Sequence, residues 1–212
     1  VDLVRTDLEY SLAIGHLDRR EIGAARASVA RIRAAGERLD DPELATIADW
    51  HEGRIDVLEG RVGSGLERIA RVAMAGEAAG QEGTAVTAYR DAAVHATLAM
   101  EYPTASRMLA AGIRYADSVQ QSYCAHLMTA SSGVVEWASG RWVEATVQAG
   151  QAISDHGCRR GAELGRWGLA YVQMGRGDLA TAEASLRQGL AFGVASESIE
   201  YILSPLWGLA EV

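Results

Sequence analysis

The chain contains no lysine and no asparagine, and all 20 of its positive charges are arginine. Codon usage in a GC-rich bacterial genome accounts for both gaps, yet the missing lysine has chemical consequences. A phosphate-binding P-loop needs a lysine after its glycines, and Schiff-base chemistry needs a lysine amine. These residues supply neither. The two cysteines, Cys124 and Cys158, are too few for a disulfide framework and fit a reducing, cytoplasmic setting. No run reaches the 18 or so apolar residues of a membrane helix, and the start lacks a charged-then-apolar signal segment. A net charge of −8 and a pI near 5.2 argue against a general nucleic-acid or membrane surface, which needs a basic face. The sequence starts at Val1 and stops at Val212 inside an apolar helical pattern, so a piece of a longer polypeptide is expected.

What is present is a repeat. A small residue recurs at Ala25, Gly65, Ala105, Ala145 and Ala182, in steps of 40, 40, 40 and 37, each time just after a short turn. Twelve residues upstream a second small residue lies in register at Ala13, Gly53, Ala93, Gly133 and Ala170. Small residues at two fixed sites let paired helices approach closely. An apolar residue three before the second site (Ile22, Val62, Tyr102, Trp142, Leu179) is expected to pack beneath. The spacing resembles the tetratricopeptide repeat, a helix-turn-helix unit, lengthened from about 34 residues to about 40. The period also suits a HEAT-like array, but the small-residue positions favour the tetratricopeptide form. The expected fold is all-α: a right-handed superhelical solenoid of about five and a half repeats in a single domain.

Periodicity and turn residues predict about eleven helices. The first pair is read at 3–18 and 21–36, the second at 43–59 and 62–79, the third at 84–100 and 103–119. The fourth is read at 121–139 and 142–154, the fifth at 160–175 and 178–193, and a partial sixth repeat over 196–212. Asp41 is expected to cap a helix that Pro42 opens. Gly80 should close the second pair, Gly83 precede the third, and Ser154–Gly157 form a loop. Pro205 should start or kink the last helix.

In stacked repeats of this kind the first helix of each pair lines the concave surface. Counting from the first-helix small residue, three rows should face that groove: Tyr10, Trp50, Arg90, Ala130 and Trp167; Ile14, Arg54, Val94, Val134 and Tyr171; Leu17, Val57, Thr97, Trp137 and Met174. Trp50, Arg54, Arg90, Trp137, Trp167 and Tyr171 are the candidate ligand or partner contacts, because aromatic and arginine side chains carry disproportionate energy at binding surfaces. The competing reading is that these aromatics pack between neighbouring repeats.

Several motifs mislead. Gly175-Arg-Gly-Asp-Leu-Ala180 spells a dinucleotide fingerprint, but that motif works only between a strand and a helix. Here a helix precedes it, so it is read as the turn of the fifth repeat, and the Arg176-Gly-Asp tripeptide with it. His16, His51, His95, His126 and His156 fall in separate repeats, and no pair is three or four apart as a helical metal face requires. His51-Glu52 begins a zinc-protease pattern without its second histidine. Asp40, Asp41 and Glu43 suit a helix start better than acid–base work. No catalytic residue, metal or cofactor is expected.

Ala111-Gly-Ile-Arg-Tyr-Ala-Asp-Ser, Ser139-Gly-Arg-Trp-Val-Glu-Ala, Gly165-Arg-Trp-Gly-Leu-Ala-Tyr-Val-Gln-Met-Gly-Arg-Gly-Asp and Ser204-Pro-Leu-Trp-Gly-Leu-Ala-Glu together resemble the middle region of large LuxR-type bacterial regulators. Those proteins carry an N-terminal AAA/STAND ATPase, a tetratricopeptide-like region and a C-terminal helix-turn-helix. The resemblance implies a non-catalytic sensing or protein-interaction module of a transcriptional regulator. A small-molecule inducer or partner protein would sit in the groove, and ATP and DNA would be bound only by domains outside these residues. It transfers no individual ligand residue. A general scaffold gripping a peptide or helix, unrelated to transcription, is the alternative.

Overall fold

The computed structural model describes residues 2–154 and 157–212, with side chains from residue 6 onward. Among these residues there are eleven α-helices and no strand. They are α1 (Asp2–Asp18), α2 (Ile22–Leu39), α3 (Pro42–Leu58), α4 (Val62–Ala78), α5 (Glu82–Leu98), α6 (Tyr102–Ser118), α7 (Ser122–Ala138), α8 (Trp142–Ser154), α9 (Arg159–Gly175), α10 (Leu179–Ala195) and α11 (Ile199–Glu211). The protein is an all-α array of helix-turn-helix repeats. It divides into two compact units, residues 1–92 and 93–212, with the boundary inside α5.

Among the described residues, one turn recurs after every helix except α8 and α11. A residue with positive φ sits at Arg20, Asp40, Gly60, Gly80, Met100, Gln120, Gly140, Gly177 and Glu197, so a finer 20-residue period underlies the 40-residue repeat. After each of these residues the next backbone N–H reaches back five residues, as from Glu21 to His16, Arg61 to Asp56, Glu101 to Ala96 and Ser198 to Gly193. Most of the positive-φ residues add a second bond three residues back, for example Gly60 to Val57 and Gly140 to Trp137. This pair of bonds is the Schellman closure, which satisfies carbonyls that a helix end would otherwise leave unpaired. Gly175–Asp178 is such a turn: Gly177 has φ of +81° and Asp178 accepts the Thr181 N–H.

The register of small residues holds in both units. Ala13, Gly53, Ala93, Gly133 and Ala170 are buried, as are Ala25, Gly65, Ala105, Ala145 and Ala182. At the α3–α4 crossing a Cβ on Gly65 would lie 2.7 Å from the Gly53 carbonyl oxygen and 2.8 Å from the Val57 nitrogen, so only glycine permits this approach. A third small site, not read from the sequence, lies at Gly36, Gly76, Ala116 and Gly193. There the second helix of one repeat meets the first helix of the next: a Cβ on Gly76 would meet that of Ala85 at 3.2 Å. The residues opening the second helices do less than expected. Ile22, Val62, Tyr102 and Trp142 are half-buried and Leu179 is exposed.

Some boundaries need correction. α2 was expected to stop at Gly36 and α10 at Gly193, but they run on to Leu39 and Ala195. Both glycines serve close helix contact rather than helix termination; a Cβ on Gly193 would lie 2.5 Å from the Tyr201 carbonyl oxygen. Pro205 lies inside α11, six residues past its start, and packs toward Gly189. Gly83 falls in the first turn of α5 instead of ahead of it. Asp41 does cap α3, accepting the Glu43 N–H at 2.9 Å, with Pro42 in the first turn. The expected 154–157 loop and His156 fall largely outside the described residues.

Candidate functional site

The six groove candidates fall into two clusters, one per unit. In the first unit, α3 carries Trp50 and Arg54 one turn apart, and α5 carries Arg90 beside Asp91. Trp50 is 1% exposed. Its indole Nε1 donates to Asp91 Oδ2 at 3.2 Å, and Arg90 donates to Asp91 Oδ1 through Nε and Nη2 at 2.9 and 2.7 Å. Arg54, also buried, holds its Nε 3.3 Å from Asp91 Oδ2 and its Nη2 3.6 Å from Asp18 on α1. The Nε contact is an ion pair without hydrogen-bond alignment. The guanidinium carbon stands 6.0 Å from the centre of the Trp50 ring.

Two arginines therefore face two aspartates, and these four charges balance. Pairing of this kind is what lets Arg54 persist in the interior, because a charge taken out of water must be paired to persist. Trp50 and Arg54 knit α1, α3 and α5 together, while Arg90 is only half-buried. Beside them His51 is fully buried, with its ring stacked on Trp50 at 4.3 Å. Neither of its nitrogens has a hydrogen-bond partner. Burial, and then the neighbouring Arg54 charge, hold its pKa down to about 3, so the ring is neutral at ordinary pH.

The second unit gathers aromatics instead. The Trp137 ring on α7 lies 4.7 Å from that of Tyr171 on α9, and Trp167 meets Tyr171 edge-on at 5.8 Å. Tyr171 is buried, and its hydroxyl donates to the Ser204 carbonyl at 3.1 Å. Burial raises its pKa. Trp137 and Trp167 are half-buried. Three polar atoms on α9 are buried without a partner: the Trp167 Nε1, the Glu163 Oε2 one turn earlier, and the Gln173 Oε1 near the helix end. Burial raises the Glu163 carboxyl above the usual range, with Arg166 opposing.

The structure adds residues that the sequence reading passed over. Trp207 on α11 packs on Tyr171 at 5.5 Å and is 45% exposed. It lies forty positions after Trp167, so extending the row by one repeat would have found it. Asp91, the hub of the first cluster, carried no signal beyond standing next to Arg90. Glu163 carried none. Among the described residues no three metal-ligating side chains come together. Among the described residues, too, no helix is long and apolar enough to cross a membrane.

No family model matches this chain, and neither the curated proteins nor the solved structures contain a match.

Proposed function

We propose that this chain is a non-catalytic sensing module of a bacterial transcriptional regulator, working in the cytoplasm as a helical-repeat region linked to a STAND-type ATPase and a helix-turn-helix domain. The observation that carries the sensing role is the second-unit cluster. Trp137, Trp167 and Trp207 around Tyr171 form a partly solvent-facing aromatic surface, and three unpartnered buried polar atoms, the Trp167 Nε1 and the Glu163 Oε2 among them, lie on the same helix as Tyr171. Flat aromatic faces with a donor and an acceptor nearby suit an inducer that combines an apolar face with hydrogen-bonding groups. Such a ligand regulates only by binding one state of the attached switch more tightly than the other. The stretches around Trp142, Trp167 and Trp207 that resemble the middle region of LuxR-type regulators support the regulatory setting. ATP and DNA are then bound by domains beyond these residues.

Replacing Trp137 and Trp207 together with alanine in the full-length protein should abolish the inducer response in a reporter assay and leave operator binding intact. A variant that folds and responds normally would refute the role of this surface. The sequences flanking residues 1 and 212 give a second test, since the proposal requires a P-loop upstream and a helix-turn-helix downstream.

One observation favours a protein partner over a small molecule. Leu203, Leu206 and Trp207 leave a run of exposed apolar side chains on α11, the kind of surface that accepts an amphipathic helix. Retention of a helical peptide, together with indifference to small inducers, would select the scaffold reading.

A further inference from the structure

The first unit holds a half-open cavity of about 180 Å³ between α1, α2, α3 and the start of α5. We propose that this cavity binds a small arylalkyl amine: one aromatic ring of benzene size with a short cationic side arm. The volume sets the size, because an apolar cavity of about 150 Å³ accepts benzene. Ile32, Leu44 and Ile47 give the cavity an apolar body. Tyr10 and Trp50 form its aromatic corner, with ring centres 6.1 Å apart and planes inclined at 47°. Trp50 is buried and Tyr10 only half-buried, so Tyr10 is the ring that meets a guest, and an aromatic face attracts a cation.

The polar end is acidic. Among the described residues, Asp7 is the only charged one lining the cavity. Thr84 lines it too, and its hydroxyl donates to Glu43 at 2.9 Å, which directs the hydroxyl's lone pairs to any incoming donor. The first turn of α5 brings the helix's partial positive end near Gly83 and Thr84, but Glu82 in that turn and Glu43 beside it offset it. The nearby Arg54 is already neutralised by Asp91 and Asp18. The Trp50 N–H is engaged by Asp91, so the indole offers the guest no donor. The inference concerns a cavity apart from the aromatic surface of the second unit, and it stands or falls without the regulatory proposal.

The test is calorimetric titration of the 212-residue chain with benzylamine, benzyl alcohol and benzoate, which share a ring and differ in charge. Benzylamine should bind in the millimolar to sub-millimolar range typical of fragments of about eight heavy atoms, benzyl alcohol more weakly, and benzoate weakest. Asp7→Asn, at an exposed position, should weaken benzylamine about three- to five-fold and leave benzyl alcohol unchanged. Gly83→Phe, where a Cβ enters open space, should set a ring at the mouth and weaken both about ten-fold or more. A preference for benzoate, equal affinity for amine and alcohol, indifference to Asp7→Asn, or binding that survives Gly83→Phe in a folded variant would each overturn the proposal. So would the absence of benzylamine binding at about 10 mM.

Discussion

Trp50 and Trp167 occupy the same position in the repeat register, yet the two units treat them differently. In the first, Trp50 is buried and its Nε1 finds Asp91, which also collects Arg54 and Arg90. In the second, Trp167 is half-buried, its Nε1 has no partner, and its neighbours are aromatic. One backbone position therefore serves as an anchor for a buried charge network in one place and as part of an aromatic surface in the other. The deciding groups are not the residue's near neighbours in sequence alone: Asp91 on α5 for Trp50, and, for the second cluster, Trp137 on α7 and Trp207 on α11 around Tyr171 of the same helix. Repetition fixes where a side chain starts, and its neighbours fix what it can do.

The comparison breaks first at Asp91. Asp91→Ala leaves Arg54 and the Trp50 N–H without their principal acceptor and should cost about 3–5 kcal/mol, the range for removing one partner of a buried ion pair. Trp207→Ala in the other cluster, at a half-exposed ring, should cost about 1 kcal/mol or less. Similar losses in denaturant unfolding would show that the clusters do not differ in kind. Because Arg54 is buried in ion pairs, Arg54→Ala should also destabilise the fold; the groove positions cannot be treated as neutral surface sites.

The next effect is in pH. His51 titrates near 3 when folded and near 6.5 when unfolded, so between these values the unfolded chain binds more protons. Stability from this residue is complete above pH 6.5 and declines as the pH falls toward 3, by about 3 kcal/mol at pH 4. The volume-matched His51→Leu variant should lose that part of the pH slope. Parallel stability–pH curves for the two proteins would place the imidazole in a wetter setting than the one described.

The helix crossings should make the units alike again. Ala25→Leu in the first unit and Ala145→Leu in the second, both at fully buried sites, should each cost about 1–3 kcal/mol through overpacking. Exposed Ala180→Leu should cost far less. Equal melting temperatures for Ala145→Leu and Ala180→Leu would show the register to be misassigned. The smallest effect concerns the turns. Arg20 and Met100 hold positive φ of 59° and 61°, so Arg20→Gly and Met100→Gly should each stabilise by about 0.5–1 kcal/mol by relieving the left-handed penalty. Gains confined to one unit would mean the two sets of turns are not equivalent.

The sequence by itself determined the repeat, the number of helices and most of their ends. Each of those features is local: a turn residue, an adjacent cap such as Asp41, or a small residue twelve positions from its mate. It misjudged α2 and α10 because glycine marks both helix ends and close helix contacts, and Gly36 and Gly193 are of the second kind. It named the six groove residues without resolving which are buried and which meet solvent. That distinction belonged to the tertiary structure alone. Burial of Trp50 depends on a carboxylate 41 residues away, and exposure of Trp207 depends on what packs against α11. Neither partner lies within the few residues over which periodicity and capping act.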